Sequence, residues 1–501
     1  MASLIREVRL VAVSDGVPVP DEPVDVLVED GVVTAIGPDL EFPSGMVQVI
    51  SGAGRWLMPG LWDQHVHLAQ WTLSSQRLDL APVRSVEEAV ALVAERLEQW
   101  PDLPVIGWGH RTARWPSKPV VSDLDALDTE QPVILISGDG HHAWLNSVAL
   151  MMLALPLREG MVTEGEWFSA YGRLHTVIGM DGTGPEAYHR TMELAAAHGV
   201  VGLVDFEFSG GVDEWAERWQ GGADLLRIRM ATYADGLDAI IAAGLRTGDP
   251  LPGCHDLAVM GPLKIISDGS LNTRTAWCCE PYAEEATLGF PYGHPNQTPE
   301  ELRALLTRAT EHGLEVAVHA IGDRAITEAV DAFAETGARG SIEHAQLTTR
   351  EEIKRMAEFG LRASVQPAHL IDDRDISEQL WPGRGERCFA LRWMADEGVE
   401  MAFGSDAPVS PLDPWLSIAA AVHRSGDERP AWHEEQSLTP REALAASTDG
   451  QGTVGVGSRG DLIVLDADPL AVAGGPEAAA HLRSIRVAAT LVDGEVIYDD
   501  D

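Results

Sequence analysis

Short stretches of alternating apolar and polar residues occupy both ends of the chain. At the N-terminal end they are REVRLVAV, EPVDVLVEDGVVTAIG and MVQVISG, and they are separated by Asp-Gly and Gly-Pro turns. Near the C-terminal end the same alternation returns in GDLIVLDADP and IRVAATLVDGEVIYD. A period of two is typical of strands with one buried face. The pattern therefore predicts that residues 1–57 and 450–501 together form one small β-sandwich domain.

The middle of the chain differs, because its apolar runs are nearly continuous and end in polar residues. Eight such runs occur: GLWDQHVH (60–67), VVGLVDFE (200–207), LRIRMATYA (226–234), PLKIISDGS (262–270), LEVAVHA (314–320), SIEHAQ (341–346), LRASVQP (361–367) and VEMAFGSDAP (399–408). Helical patterns separate them, such as PEELRALLTRATEHG and TREEIKRMAEFG. Strands that are apolar on both faces and alternate with helices are typical of parallel sheets. We therefore predict a (β/α)8 TIM barrel over residues 58–449.

One interval does not fit a simple barrel. Residues from about 70 to 197 are too many for a single connection between two strands. The segments DLPVIGWGH and QPVILISGDGHHAW within this interval have strand character of their own. We therefore expect a subdomain inserted after the first barrel strand.

Composition narrows the classes of partner. The chain of 501 residues carries 36 basic and 78 acidic side chains, for a formal net charge of −42. Such a field repels nucleic acid and anionic lipid, so we expect neither as a partner. No run reaches the length of a membrane span or of a secretion signal, and the four cysteines form no CxxC pair. We expect reduced thiols and a cytoplasmic protein.

Six residues with metal-binding side chains lie in or at the ends of the predicted barrel strands. They are His65, His67, Lys264, His319, His344 and Asp406. Any one of these histidines alone is more often a hydrogen-bonded structural residue, and an Asp after a strand is usually a cap. Together they lie at the C-terminal ends of parallel strands, where barrels of this kind build their active sites. The pattern therefore predicts a metal centre.

Lys264 lies within the apolar run PLKIIS in a chain that has only two other lysines, Lys118 and Lys354. A buried ammonium is costly unless its pKa falls or the amine is modified. A neutral lysine amine reacts with CO₂ to give a carbamate, whereas arginine stays protonated. The alternative is a lysine that reaches solvent or pairs with Asp268.

The order of these residues, flanked by a split β-sandwich, resembles the amidohydrolase superfamily. More narrowly, GDGHHAWLNSVAL, LKIISDGSLNTRTA, VHAIGDRAI, IEHAQL, SVQPAHL and AFGSDAPVSPLDPW resemble the amidohydrolase-3 branch, which includes YtcJ-like proteins and N-substituted formamide deformylases. The resemblance extends over essentially the whole chain. It implies a (β/α)8 barrel that hydrolyses an amide or similar C–N bond with one or two divalent metal ions, usually zinc.

The resemblance also implies a role for each ligand. His65, His67 and Asp406 would hold the first metal ion, His319 and His344 the second, and a carbamylated Lys264 would bridge them. Imidazole and carboxylate ligands suit zinc, with iron, manganese or cobalt as alternatives. Asp406 would also be the catalytic group that moves a proton.

Neighbouring residues are candidates for two kinds of role. Glu343 and Asp323 follow or precede ligand histidines and either orient them or pair with cations such as Arg324. Asp63 is either part of the site or structural. The candidates for binding substrate are His141, Trp144, Arg274 and His369. For Trp144 and the adjacent histidines, the alternative is a buried structural cluster.

These observations predict a metal-dependent amidohydrolase that acts on a small N-substituted amide or formamide. The alternatives are hydrolysis of an ester, cyclic amide or carbamate, another reaction on the same barrel (decarboxylation or isomerisation), and a non-catalytic regulatory protein. The expected partner is a small-molecule substrate, and a second copy of the chain in a homodimer is compatible with the sequence.

Overall fold

The computed structural model describes residues 2–41, 47–75, 77–80, 82–112, 115–137, 142–171, 174, 184–208, 210–283 and 288–500. The strands in these residues are β1 Ala2–Leu10, β2 Val24–Glu29, β3 Val32–Gly37, β4 Val47–Ser51, β5 Trp56–Pro59, β6 Leu61–Val66, β7 Arg77–Asp79, β8 Val105–His110, β9 Val133–Ser137, β10 His142–Leu145, β11 Val162–Thr163, β12 Val200–Asp205, β13 Arg227–Thr232, β14 Ala258–Ile266, β15 Val316–Ala320, β16 Gly340–His344, β17 Arg362–Val365, β18 Met401–Phe403, β19 Leu462–Leu465, β20 Val487–Val492 and β21 Glu495–Asp499.

The helices are α1 Leu68–Ser75, α2 Val86–Gln99, α3 Val121–Asp125, α4 Ser147–Met152, α5 Glu164–Tyr171, α6 Pro185–Ala197, α7 Val212–Gln220, α8 Leu237–Ala243, α9 Pro299–Glu311, α10 Asp323–Thr336, α11 Arg350–Glu358, α12 His369–Leu380, α13 Leu391–Asp396, α14 Pro414–His423, α15 Pro440–Ala445 and α16 Gly475–Ser484. Single 3₁₀ turns occupy Gly385–Arg387 and Glu434–Gln436. In the described part of the chain, no helix is both long enough and apolar enough to cross a membrane.

Eight parallel strands form the barrel, in the order β6, β12, β13, β14, β15, β16, β17, β18. Closure comes from the segment that follows β18, where the Asp406 amide donates to the His65 carbonyl at 2.7 Å. The His67 amide in turn donates to the Ala407 carbonyl at 2.9 Å. Each of the eight predicted apolar runs contains all or part of one of these strands, so the (β/α)8 prediction is confirmed. The strand β14 begins at Ala258, four residues before its predicted run.

Two of the helices between barrel strands begin where their sequence patterns predict. Thr298 caps α9, since its side chain accepts from the Glu301 amide while the Glu301 carboxylate accepts from the Thr298 amide. Thr349 caps α11 by accepting from the Glu352 amide. Caps of this kind stabilise a helix by about 1 kcal/mol each.

Both ends of the chain meet in the second β unit. Its strand order is β21, β20, β19, β5, β1, β2, β3, with β4 also paired to β1. The first half of β1 pairs with β2 and β4, whereas its second half pairs with β5, and Glu7 between them has a φ of 52°. The strand β1 thus belongs to two sheets, one with β2, β3 and β4 and the other with β5, β19, β20 and β21. These two sheets share one apolar core that includes Ile5, Val26, Leu57 and Leu491. The predicted β-sandwich of both termini is therefore confirmed.

The insertion after β6 forms a compact unit of its own over Ala69–Tyr188. Its sheet has the order β11, β10, β9, β8, β7, and the two predicted strand segments contain β8, β9 and β10. The unit ends before the predicted residue 197 because the later part of α6 packs elsewhere. There the Ala196 carbonyl accepts a hydrogen bond from the Thr490 hydroxyl of β20 at 2.7 Å.

Candidate metal centre

The two histidines at the end of β6 contact the same carboxylate. His65 Nε2 lies 3.7 Å and His67 Nε2 lies 3.4 Å from Asp406 Oδ1. Because successive odd positions of a strand share a face, HxH brings both rings to one side. Asp406 reaches them because barrel closure places the segment after β18 beside β6.

Glu343 determines which nitrogen of His65 faces the site. Its Oε2 lies 2.7 Å from His65 Nδ1, so Nδ1 is the protonated nitrogen and Nε2 is left as an acceptor. Burial and, to a smaller extent, the nearby Lys264 lower the pKa of His65 to about 4, although Asp406 and Glu343 act in the opposite direction. His65 is therefore neutral at pH 7, the state in which an imidazole binds a metal ion.

The Asp406 side chain is a carboxylate in spite of its burial. Burial alone would raise its pKa, but the surrounding imidazoles, His65 first, hold the pKa well below its usual range. A group that stays ionised inside this end of the barrel supplies a fixed negative charge for a cation.

A second set of donors shares the same aspartate. His344 at the end of β16 and His369 at the start of α12 join Asp406 in a group whose ligand atoms all lie within 4.8 Å of one another. His65, His67 and Asp406 form the other such group. The structure thus brings His369, which was expected to contact substrate, among the potential metal ligands.

His319 at the end of β15 lies at the edge of this second set. Its ring centroid is 4.5 Å from that of His344, and its Nε2 lies 3.4 Å from Asp268 Oδ1. Asp268 is fully buried and accepts hydrogen bonds from the amides of Ile321, Gly322 and Trp277. Its role is therefore to hold the loops around His319, and it does not pair with Lys264.

Lys264 is buried below the histidines. Its Nζ lies 3.3 Å from His65 Nε2 and 4.1 Å from the centre of the Phe206 ring, and the residue is 2% exposed. Among the described residues, no hydrogen bond or ion pair joins this amine to a carboxylate. Burial lowers its pKa to about 8, although Glu343 and Asp406 act in the opposite direction. The alternative of a lysine that reaches solvent is excluded.

Asp63 is a structural residue. Its Oδ1 accepts hydrogen bonds from the His65 amide at 3.1 Å and the Ser405 amide at 2.9 Å, which ties β6 to the segment after β18. Burial raises its pKa to about 7. Gly404 is required at the same contact, because a Cβ there would lie 2.7 Å from the His65 nitrogen.

Two of the donor residues have a strained backbone. His344 and Asp406 have φ values of 69° and 57°, in the left-handed region that L-residues rarely adopt. Each such residue costs about 1–3 kcal/mol and persists only where the surrounding structure holds it. The strain is consistent with side chains that are positioned for a function.

The remaining predicted residues lie apart from these contacts. Asp323 pairs with Arg387 and accepts from the Cys279 amide, so it acts in loop structure and does not orient a histidine. Arg274 is partly exposed on the loop after β14, where it bonds to the Asn272 carbonyl at 3.4 Å. Its contact with substrate stays a prediction.

The two candidates within the insertion have different outcomes. His141 lies outside the described residues. Trp144 is fully buried in the insertion's own core, beside Trp115, and its indole N–H donates to the Val120 carbonyl at 2.9 Å. The expectation that Trp144 binds substrate is therefore wrong, because the ring packs in a core and its polar atom is satisfied.

Two phenylalanines were missed by the sequence reasoning. The Phe206 ring meets the edge of His65 at a centroid distance of 4.5 Å, and the Phe208 ring stacks on His67 at 4.9 Å. The spacing of FEF after β12 matches that of HVH on the neighbouring β6. This equal spacing is the sequence signal that could have placed the two phenylalanines beside the two histidines.

The donor set fits a divalent cation. Imidazoles and one carboxylate are ligands that suit zinc and related metals. In addition, His67 Nδ1 and His369 Nε2 are buried without a hydrogen-bond partner among the described residues. Buried polar atoms are normally satisfied, so the unpartnered His369 Nε2, 4.0 Å from Asp406 Oδ2, is an atom that a metal ion would satisfy.

Comparison with known proteins agrees with this centre. The model of the amidohydrolase family matches residues 48–498. The putative amidohydrolase YtcJ of Bacillus subtilis (strain 168) is 27% identical, over 95% of this chain and 96% of its own. The N-substituted formamide deformylase of Arthrobacter pascens is 24% identical, over 95% of this chain and 94% of its own. An uncharacterized metal-dependent hydrolase from Pyrococcus horikoshii OT3 superposes with a TM-score of 0.69 at 25% identity, over 94% and 99% of the two chains.

Proposed function

Because the chain belongs to the amidohydrolase family and is a metal-dependent hydrolase of that family, we propose that it cleaves the C–N bond of a small N-substituted amide or formamide. The observation that carries this proposal is the Asp406 carboxylate shared by two groups of imidazoles. The Arthrobacter relative supports the substrate class, since that protein is an N-substituted formamide deformylase.

The metal would be held by the residues described above. His65, His67 and Asp406 would hold one divalent ion, and His344 with His319 or His369 a second, with zinc as the first candidate. A metal bound there would supply Lewis-acid activation of water and of the scissile carbonyl.

Lys264 is proposed to carry a carbamate. The ammonium would first lose one proton to give the neutral amine. The amine nitrogen would then form a bond to the carbon of CO₂ and lose a second proton, so that the cation becomes a carbamate anion. Burial next to neutral imidazoles favours this change, because an ammonium there lacks a carboxylate partner among the described residues. The resulting oxygens would face the two groups of donors.

The chain's own residues would move the proton. Asp406 is ionised and next to both groups of imidazoles, so it is proposed to accept a proton from the attacking water and deliver it to the leaving nitrogen. General acid–base catalysis of this kind contributes about 10²–10⁴-fold. Glu343 would keep His65 in the correct tautomer, and Arg274 would bind the substrate carbonyl or a carboxylate.

The proposed partner is a small molecule, and a homodimer is compatible with the proposal. The net charge of −42 supports the absence of nucleic acid and membrane as partners. All four cysteines are free thiols, which supports a cytoplasmic location.

The test is an assay of metal-stripped protein reconstituted separately with zinc, manganese, cobalt and iron(II). The panel contains matched pairs of N-substituted amides, formamides, carbamates and the corresponding esters. We expect hydrolysis of C–N bonds that is lost on chelation and restored by metal. Turnover of the esters alone would overturn the substrate class, and full metal binding with no turnover of any compound would support a regulatory protein.

A further inference from the structure

Two aromatic rings follow β12 with the same spacing as the histidine pair at the end of β6. The strands are neighbours in register, since Asp205 pairs with Val66 and the Phe206 amide donates to the Val66 carbonyl at 2.7 Å. Phe206 therefore lies beside His65, and Phe208 lies beside His67.

The two rings differ in exposure. Phe206 is 1% exposed and packs against His65 and Lys264, so it belongs to the interior of the barrel. Phe208 is 55% exposed although it stacks on His67 with an angle of 22° between the ring planes. One face of Phe208 is thus covered by a potential metal ligand, and much of the ring remains open to solvent.

Tyr233 extends this aromatic surface. Its ring centroid is 5.3 Å from that of Phe208, and its hydroxyl already donates to the Phe206 carbonyl at 2.8 Å. Because the Tyr233 hydroxyl is already bonded, the surface that Phe208 and Tyr233 present to a substrate consists mainly of ring carbon atoms. Exposed apolar groups beside a catalytic centre are typical of ligand-binding surfaces.

We propose that Phe208 and Tyr233 form a subsite for an uncharged aromatic substituent on the nitrogen of the substrate. The inference rests on the proposed amide hydrolysis and specifies the substrate class. A planar ring that stacks on Phe208 would lie next to His67, and its attached nitrogen would be near Asp406, which lies 3.4 Å from His67. Stacking of aromatic rings favours such a group over a saturated one of similar size.

The experiment uses the zinc-loaded enzyme and three amides with the same acyl group. Their nitrogen substituents are 2-phenylethyl, 2-cyclohexylethyl and methyl. We expect wild-type kcat/KM to fall in that order. In Phe208→Ala the ratio of kcat/KM for phenylethyl over methyl should fall roughly 10- to 100-fold, the range for loss of an apolar contact in a specificity pocket. Phe208→Trp should keep the preference.

Phe359→Ala is the matched control. Phe359 is 41% exposed, and it follows α11 at the opposite end of the barrel. The ratio should stay at the wild-type value in this variant. Metal content of each variant is measured alongside, because the proposed subsite leaves the zinc content of Phe208→Ala unchanged.

Three outcomes would contradict the subsite. One is an unchanged ratio in Phe208→Ala, and another is equal preference for phenylethyl and cyclohexylethyl in the wild type. The third is loss of zinc with an equal loss of all three activities, which would make Phe208 a support for His67. Absence of hydrolysis of all three amides by the wild type would instead count against the proposed function itself, which the ester and carbamate assays then examine separately.

Discussion

Both ends of the barrel bury carboxylates, but their partners differ. At the N-terminal end, Asp449 accepts two hydrogen bonds of 2.7 Å from Arg229 and further ones from Gln64 and Arg459. At the C-terminal end, Asp406 is surrounded by histidines, of which His65 is neutral at pH 7. The first carboxylate is neutralised by permanent cations, whereas the second is placed among potential metal ligands.

The carboxylate at the N-terminal end lines a cavity. A cavity of about 370 Å³ opens at the N-terminal end and is lined by Arg229, Glu315, Arg362 and Glu400 among others. Glu343 lines its inner part and turns one oxygen to His65. The charged side chains at the N-terminal end of the barrel therefore form a structural ion-pair network. The type of partner, more than burial, therefore distinguishes the proposed catalytic carboxylate from the one in an ion-pair network.

The largest expected effect comes from removing either of the two histidines at the end of β6. His65→Ala or His67→Ala should remove ligand atoms from the first group and abolish hydrolysis while the barrel stays folded. Metal analysis, activity and circular dichroism check this. His433→Ala, which changes a partly exposed histidine paired with Glu435, should retain metal and activity. Full metal content in both site variants would refute the assignment.

The two carboxylates provide a direct test of the comparison. Asp406→Asn should lower kcat by at least about 10²-fold even with excess metal, since it removes the proposed proton carrier. Asp449→Asn should lower stability and leave kcat within about twofold, because it weakens a buried ion-pair network that does not contact the candidate metal ligands. Equal losses of kcat in the two variants would erase the distinction between the two ends.

Substitution of Lys264 tests the proposed carbamate. Lys264→Arg should damage metal binding as much as Lys264→Ala, because a guanidinium stays protonated and forms no carbamate. Short carboxylates should partly restore activity to the alanine variant, and protein prepared without CO₂ should regain metal binding with bicarbonate. Lys354→Arg, at an exposed position, is the control. An unmodified Lys264 in active, fully metallated enzyme would contradict the carbamate.

Glu343 lies between the two ends, and its replacement should have an intermediate effect. Glu343→Gln should weaken metal binding about 10- to 100-fold, the usual effect of removing the partner that orients a ligand histidine. Titration with a chelator of known affinity measures this. Glu400→Gln alters an exposed glutamate of the same cavity and should leave metal affinity unchanged. Equal metal affinities in the two variants would show that His65 does not depend on Glu343.

The smallest effect concerns stability of the metal-free protein. Because burial raises the pKa of Asp63 to about 7, the folded state holds a proton that the unfolded chain releases near pH 4. The free energy of unfolding should therefore fall as the pH rises from 5 to 8. Asp63→Asn should flatten this fall by on the order of 2 kcal/mol, since one pKa unit is worth about 1.4 kcal/mol. Urea unfolding at several pH values measures the free energy of unfolding of both proteins. The same pH dependence in the wild type and in Asp63→Asn would contradict the raised pKa of Asp63.

Much of the fold was predictable because its signals are local. Apolar runs on eight strands and alternation at both ends depend on residues close together in the chain, and each run became a strand of the expected sheet. The candidate centre followed from the rule that strand ends share one edge of a barrel. The family resemblance then assigned ligand roles that strand position alone leaves open.

The sequence by itself determined the barrel, the joined termini and the presence of metal-binding side chains at one barrel end. Only the tertiary structure decided which of them meet: His369 joins His344 and Asp406, and Glu343 turns towards His65. It also buried Trp144 in a separate core and left Phe208 exposed. These outcomes depend on strand register, barrel closure and loop path between residues far apart in the chain, and no local pattern of hydrophobicity encodes those distances.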